Sequence, residues 1–145
     1  VGELDQVVEE PVVVGPLATQ ILAAPGADVI KVEAKAGDLV RNLNGKSISP
    51  GMGAKFLHLN RNKRSIVLDL KQPAGYAALR KLLACADVMV WNNRPPSMAR
   101  MKLSYEDVRA INPRIIYCGM FGFGQDGRYR DKPAYDTSIG GSGGM

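Results

Sequence analysis

Histidine, cysteine and aromatic residues are scarce in this chain, and each scarcity closes a route to function. Histidine occurs once, at His58, and cysteine twice, at Cys85 and Cys118. With one imidazole and no CxxC or Cys/His spacing, the sequence offers no metal-ligand cluster, no disulfide framework and no Ser/His/Asp set. His58 lies among Phe56, Leu57 and Leu59 and reads as a packed side chain rather than a base. Both cysteines sit beside predicted strands among apolar neighbours and read as reduced core thiols. Aromatic residues make up 6% of the chain, and the basic residues Arg61 to Arg64 have no aromatic stacking surface beside them, which counts against nucleic acid as a partner. No apolar run approaches the length of a membrane span, and no basic-then-hydrophobic segment opens the chain. The expectation is a soluble, cytoplasmic protein without a membrane partner. No carboxylate pair is visibly prepared for acid–base work, so no catalytic and no metal-binding residue is assigned.

What is present is ordinary globular content. The 145 residues are 46% hydrophobic and 23% charged, enough for one domain with a core, and carry a net charge of +5. That charge fits an acidic small molecule, a nucleic acid or a merely basic surface. The most distinctive stretch is FLHLNRNKRSIVLDLK, Phe56 to Lys71. Here a cationic turn, Asn60 to Arg64, precedes Ile66, Val67, Leu68 and Leu70, which suit a buried strand.

Upstream, VVEEPVVV is broken by Pro11, which favours a short strand over Val12 to Val14. Gly15-Pro16 opens a helix over Leu17 to Ala24, because proline at a first helical position lacks only an amide that would be unpaired there. Pro25-Gly26 ends it, and ADVIKVE, Ala27 to Glu33, reads as a strand. From Ala34 to Lys55 periodicity is lost. The glycines there mark a loop in which Lys35, Arg41 and Lys46 read as solvated. Gln72-Pro73 starts a helix with Leu79, Leu82, Leu83 and Ala86 at helical spacing, and DVMVW, Asp87 to Trp91, is a strand. A short helix over Ser97 to Met101 follows. Ser104 with Asp107 resembles a capping pair for a helix over Tyr105 to Ile111, and RIIYCGM, Arg114 to Met120, is the last strand.

Strands alternating with helices predict an α/β fold, a mostly parallel sheet with helices on both faces. Ligands in such sheets gather beyond the carboxyl ends of the strands, which puts Glu33 to Lys35, Asn92 to Arg94 and the segment after Met120 on one rim. Gly122 to Gly127 matches GxGxxG after a strand. The helix that gives this motif its phosphate-binding meaning is missing, since RYRDKP has little apolar face and runs into Pro133.

The succession GPLATQILAAPGADVIKVE, LNRNKRSIVLDLK, ADVMVWNNRPPSM and INPRIIYCGMFGFGQDGRYRDKPAYD resembles the N-terminal part of a class III coenzyme A transferase. That family includes formyl-CoA and crotonobetainyl-CoA transferases and is related to α-methylacyl-CoA racemase. The resemblance implies a Rossmann-like large domain, with residues 1–145 as its N-terminal CoA-binding part and the small domain and C-terminal part absent. It implies CoA contacts at Val12, Val13, Ala34, Lys35, Asn92 and Arg100. Asn92 and Arg100 match the family's residue types. Ala34 stands where many members have arginine or another polar group, which leaves Lys35 as the nearest substitute.

The implied reaction moves CoA from an acyl-CoA to a carboxylic acid, without a metal, through an aspartate that attacks the thioester and forms a mixed anhydride. That aspartate is expected beyond Met145, and Asp136 is not its counterpart, so the chain by itself is expected to be inactive. Tyr135 favours transferase over racemase. An interlocked homodimer is implied for the full-length protein. The alternatives are a fragment of a 2-methylacyl-CoA racemase and, from another class, a nucleic-acid-binding module that uses Arg61 to Arg64.

Overall fold

Among the described residues five strands pair into one sheet: β1 (Gln6–Glu9), β2 (Asp28–Glu33), β3 (Lys63–Val67), β4 (Val88–Trp91) and β5 (Ile116–Gly119). Their order is β3-β2-β1-β4-β5, and all four pairings are parallel. The computed structural model describes residues 6–9, 14–43, 47–130, 132, 134 and 140–141. The connecting helices are α1 (Val14–Ala23), α2 (Ala54–Leu59), α3 (Pro73–Cys85), α4 (Pro95–Arg100) and α5 (Tyr105–Ile111), with a 3-10 turn over Leu39–Asn42.

Side chains alternate between the two faces of the strands, and both faces are covered. Val8, Val32, Met89 and Trp91 pack with Leu79 and Leu83 of α3 and Val108 of α5. Val7, Val29, Val88 and Val90 pack with Ala23 of α1 on the opposite face. A central parallel strand must be apolar on both sides, and Val7 and Val8 are accordingly buried. Helix boundaries follow local chemistry. Proline stands at the start of α3, and Ser104 and Asp107 cap α5 reciprocally, with the Asp107 amide donating to Ser104 Oγ at 3.3 Å and the Ser104 amide to Asp107 Oδ2 at 3.1 Å. Buried Asn112 then donates to the carbonyls of Leu83 (3.1 Å) and Ala86 (2.7 Å), tying the end of α3 to the end of α5.

Several expectations are corrected. The first strand is Gln6–Glu9, and Val14 already belongs to α1; Val12 and Val13 lie outside the described residues. The stretch from Ala34 to Lys55 is not featureless, because Val40, Phe56 and Leu59 form a small core that supports the 3-10 turn and α2. Among the described residues strand β3 is an edge that pairs with β2 alone, and Val67 is 56% exposed rather than buried. Cys85 is exposed because it lies on the side of α3 turned away from buried Leu79 and Leu83, and Cys118 is half-buried on the edge strand β5. His58 points to solvent, since α2 buries Phe56 and Leu59 and turns the two residues between them, Leu57 and His58, outward. No helix among the described residues is long and apolar enough to cross a membrane.

Candidate functional site

The strand order reverses between β1 and β4, and this sets the candidate site. Glu9 is level with Lys31 of β2 and Val90 of β4, so two residues further on Glu33 and Asn92 flank the point where the chain leaves β1. From strand spacing their backbones stand about 10 Å apart. In open α/β sheets this crevice is where ligands bind.

Three expected contact residues fall at this rim. Ala34 and Lys35 are exposed directly after β2, and Asn92 is half-buried directly after β4. Lys35 makes one long ion pair, 3.7 Å to Asp69, with its own side chain 78% exposed. Arg100 closes α4, the short helix that follows Asn92; it is exposed and its Nη2 donates to Ser97 Oγ at 3.0 Å. Val12 and Val13, in the connection from β1 to α1, are outside the described residues, as are Lys46, Tyr135 and Asp136.

Beneath the rim lies a charged cluster that the sequence reading missed. Lys31 and Glu33 point to the α1 side of β2, and each is 1% exposed. Lys31 Nζ pairs with Asp38 Oδ2 at 2.9 Å. Glu33 receives a fork from Arg41, Nη2 to Oε1 at 2.6 Å and Nε to Oε2 at 2.7 Å. Ser65 Oγ donates to Oε1 at 2.6 Å and the Asp38 amide to Oε2 at 3.0 Å. Burial pushes the Glu33 carboxyl up, but the Arg41 fork, the Ser65 hydroxyl and the Asp38 amide outweigh it and hold it at about 2. The same fork raises the Arg41 guanidinium above its ordinary range. Arg41 is thus not a solvated loop cation. The signal for it was two opposite charges, Lys31 and Glu33, on one face of a strand that a parallel sheet must bury; such charges demand partners close by.

The cationic turn at Asn60 to Arg64 stands at the other end of the sheet, where β3 begins. Asn62 has φ 62°, a left-handed conformation asparagine tolerates. Lys63 Nζ donates to Pro16 O and Thr19 Oγ1, both at 2.8 Å, holding α1 against β3. Arg64 forks onto Asp28 at the start of β2. These cations bind the protein's own elements, on the rim opposite to Asn92. Because the Arg64–Asp28 pair is exposed, Arg64→Ala is expected to cost no more than about 1 kcal/mol in urea unfolding. It should leave the affinity of any ligand at the Asn92 rim unchanged; a loss of affinity exceeding the loss of stability would return this turn to binding.

A cavity of about 570 Å³ opens beside the ends of β4 and β5, walled by Trp91, Pro95, Met98, Tyr105, Tyr117 and Phe121. Phe121 meets Trp91 edge-on, with ring centroids 5.1 Å apart. A Cβ on Gly119 would come within 2.6 Å of Phe121 and 2.9 Å of Trp91, so glycine permits this stack. The glycine-rich segment from Gly122 forms turns and no helix through Arg130, as its composition implies. Among the described residues no group of three or more His, Cys, Asp or Glu is placed to hold a metal ion.

Comparison with known proteins agrees with this geometry. The family model described as CoA-transferase family III matches residues 7–145. The chain is 43% identical over 144 residues to the succinate–glutarate CoA-transferase of Agrobacterium fabrum, covering 92% of this chain and 35% of that protein. It is 44% identical over 131 residues to the formyl-CoA:oxalate CoA-transferase of Streptomyces avermitilis, covering 88% of this chain and 32% of that one. Among solved structures, a CAIB/BAIF family protein from Brucella suis superimposes with a TM-score of 0.91 at 40% identity, over 98% of this chain and 39% of the other. The chain spans about a third of the length of these curated relatives. By its sheet topology and by the match over residues 7–145, the chain belongs to CoA-transferase family III.

Proposed function

We propose that residues 1–145 form the CoA-binding portion of an enzyme that transfers CoA from an acyl-CoA to a carboxylic acid. The observation that carries this reading is Asn92 at the strand-order reversal, in a chain belonging to a CoA-transferase family. Asparagine there offers both a donor and an acceptor, and Lys35 and Arg100 supply positive charge from the flanking β2 and α4. Backbone from the Val12–Val13 connection completes the proposed contact set with Ala34. The phosphates of CoA are the anion this set suits.

The chemistry itself is assigned to an aspartate in polypeptide beyond Met145. Its carboxylate attacks the thioester carbonyl, the CoA thiolate leaves, and the acyl group is held as a mixed anhydride. The thiolate then attacks the aspartyl carbonyl and releases the donor acid. The acceptor carboxylate displaces the thiolate from that aspartyl thioester, and the thiolate attacks the acceptor's acyl carbonyl in the new anhydride, giving the product acyl-CoA and the free aspartate. Residues 1–145 alone are then a binder and not a catalyst. The full-length protein is read as a homodimer, a reading supported by Val14, Leu17 and Ile21. They recur along one face of α1 and are 65%, 44% and 61% exposed in this chain, an apolar stripe suited to cover by further polypeptide. Nucleic-acid binding is the weaker reading, because Lys63 and Arg64 are engaged within the fold.

Calorimetric titration with CoA tests the proposal. Micromolar CoA binding is expected, and Arg100→Ala should weaken it roughly tenfold or more, the size of a lost charge-assisted hydrogen bond. The 1–145 chain should show no CoA exchange between an acyl-CoA and a carboxylate, and the full-length polypeptide should show it. Exchange by the short chain, or oligonucleotide binding without CoA binding, would overturn the reading.

A further inference from the structure

In a doubly wound sheet that binds dinucleotides, an acidic residue following the second strand takes a ribose hydroxyl. Glu33 ends β2, and its carboxylate is already filled. Arg41 and Ser65 donate to Oε1, and Arg41 and the Asp38 amide to Oε2, which accounts for all of its roughly four acceptor positions. A ribose could be bound there only by displacing one of these donors.

The same four bonds shape the backbone that follows. Glu33 Oε2 accepts from the Asp38 amide, Gly37 N donates to Ala34 O at 2.8 Å, and Gly37 takes φ 75°, closing Ala34 to Asp38 into a tight turn. The turn's base is fixed to the residue that follows β3, where the Leu68 amide donates to Glu33 O at 2.9 Å. Arg41 is itself braced, 3.9 Å over the Phe56 ring and 3.3 Å from Gly51 O. At the tip stands Lys35, whose 3.7 Å contact with Asp69 is too long and too exposed to hold it away from a ligand.

We propose that Glu33 and Arg41 are positioning residues for ligand binding: their fork holds the Ala34–Asp38 turn as a rigid finger that presents the Lys35 ammonium to a phosphate of the CoA substrate. This rests on reading the Asn92 rim as the CoA site. With the turn fixed before the ligand arrives only the lysine side chain is left to be ordered on binding, whereas on a loose loop the backbone must be ordered at the ligand's expense as well. A fork that served stability alone would leave the contribution of Lys35 independent of Arg41.

The test is a double-mutant cycle in the full-length polypeptide, using Arg41→Lys, Lys35→Ala and the double variant, with CoA affinity and amide hydrogen exchange both measured. Arg41→Lys keeps the charge and removes the fork, so it is the variant that retains the fold. Lys35→Ala should weaken CoA binding roughly fivefold, Arg41→Lys by a similar factor, and the double variant no more than either single change. In the free protein, exchange at the Gly37 and Asp38 amides should speed up roughly tenfold or more in Arg41→Lys, since local opening sets these rates. Multiplying losses in the cycle, or unchanged affinity in Arg41→Lys, would overturn the positioning role. Absence of CoA binding by the unsubstituted protein would overturn the CoA reading and the ligand half of this inference. The exchange data would then still decide the clamp: acceleration upholds the rigid finger and unchanged exchange removes it.

Discussion

Arg41→Ala is expected to lower the unfolding free energy at neutral pH by about 3 kcal/mol, because it leaves the Glu33 carboxylate buried without its counter-charge. The lower end of the usual range applies because the Arg41 side chain is 22% exposed, so water can enter where it stood. The pH dependence gives the sharper result. In the unsubstituted protein Glu33 is held at about 2 against an ordinary 4.5, so its contribution is present above pH 4.5 and is lost as pH falls through about 2. A shift of that size corresponds to about 3 kcal/mol, in line with the cost assigned to removing the arginine. In Arg41→Ala burial is opposed only by the Ser65 hydroxyl and the Asp38 amide, so the carboxyl takes up a proton at higher pH and stops being a buried charge. The stability gap between the two proteins should therefore narrow on acidification, to less than half its neutral value by about pH 3. Urea unfolding at a series of pH values measures it, and a gap that stays constant would show that the Glu33–Arg41 attraction is not what the substitution removes.

The parts of this molecule that were legible in the sequence are those in which neighbouring residues determine the outcome. The span of α5 follows from Ser104 and Asp107 together with Asn112-Pro113, and the structure places it over Tyr105–Ile111 as expected. Strands β2, β4 and β5 follow from compact apolar runs between breakers, and the parallel α/β layer follows from their alternation with helices. The first strand was misplaced because both VVE and VVV read as strand from local preference. Only pairing on both sides, with β2 and β4, distinguishes Gln6–Glu9, and no local pattern contains that information. The rim was legible as topology: Ala34, Lys35 and Asn92 sit where strand ends in such a sheet must sit.

The charged cluster was not legible residue by residue, because each member has a bland local reading. Arg41 reads as a loop cation, Asp38 as a turn residue and Ser65 as part of a strand, and only the fold brings them to Glu33. The Asn60–Arg64 turn is the opposite case. Its density of charge suits the nucleic-acid alternative, yet the direction of β3 places it at the amino end of the sheet, facing α1 and the start of β2. Charge in sequence marks a site only once the fold shows which end of a strand it occupies.

Asp38→Asn tests the second buried pair, and its expected cost is about 3–5 kcal/mol. Asparagine keeps an oxygen for the Val40 amide, which Asp38 Oδ1 accepts at 2.9 Å, so the cap on the 3-10 turn survives. What is lost is the negative charge 2.9 Å from Lys31 Nζ, where both side chains are 1% exposed and solvent cannot substitute. If the cost arises from an ammonium deprived of its Asp38 counter-charge in a desolvated layer, removing that ammonium should restore stability. Lys31→Met keeps a long flexible side chain that fills similar space without charge, and replacing both ionic partners of a buried pair is often nearly neutral. The double variant Lys31→Met/Asp38→Asn is therefore expected to regain more than half of the loss, short of full recovery because the asparagine amide then buries its own donors. Chemical unfolding of the three variants measures this directly. A double variant as unstable as Asp38→Asn would mean that Asp38 acts through the local turn rather than through Lys31, and the ion pair beneath the rim would lose its place in holding β2 to the segment that carries Lys35.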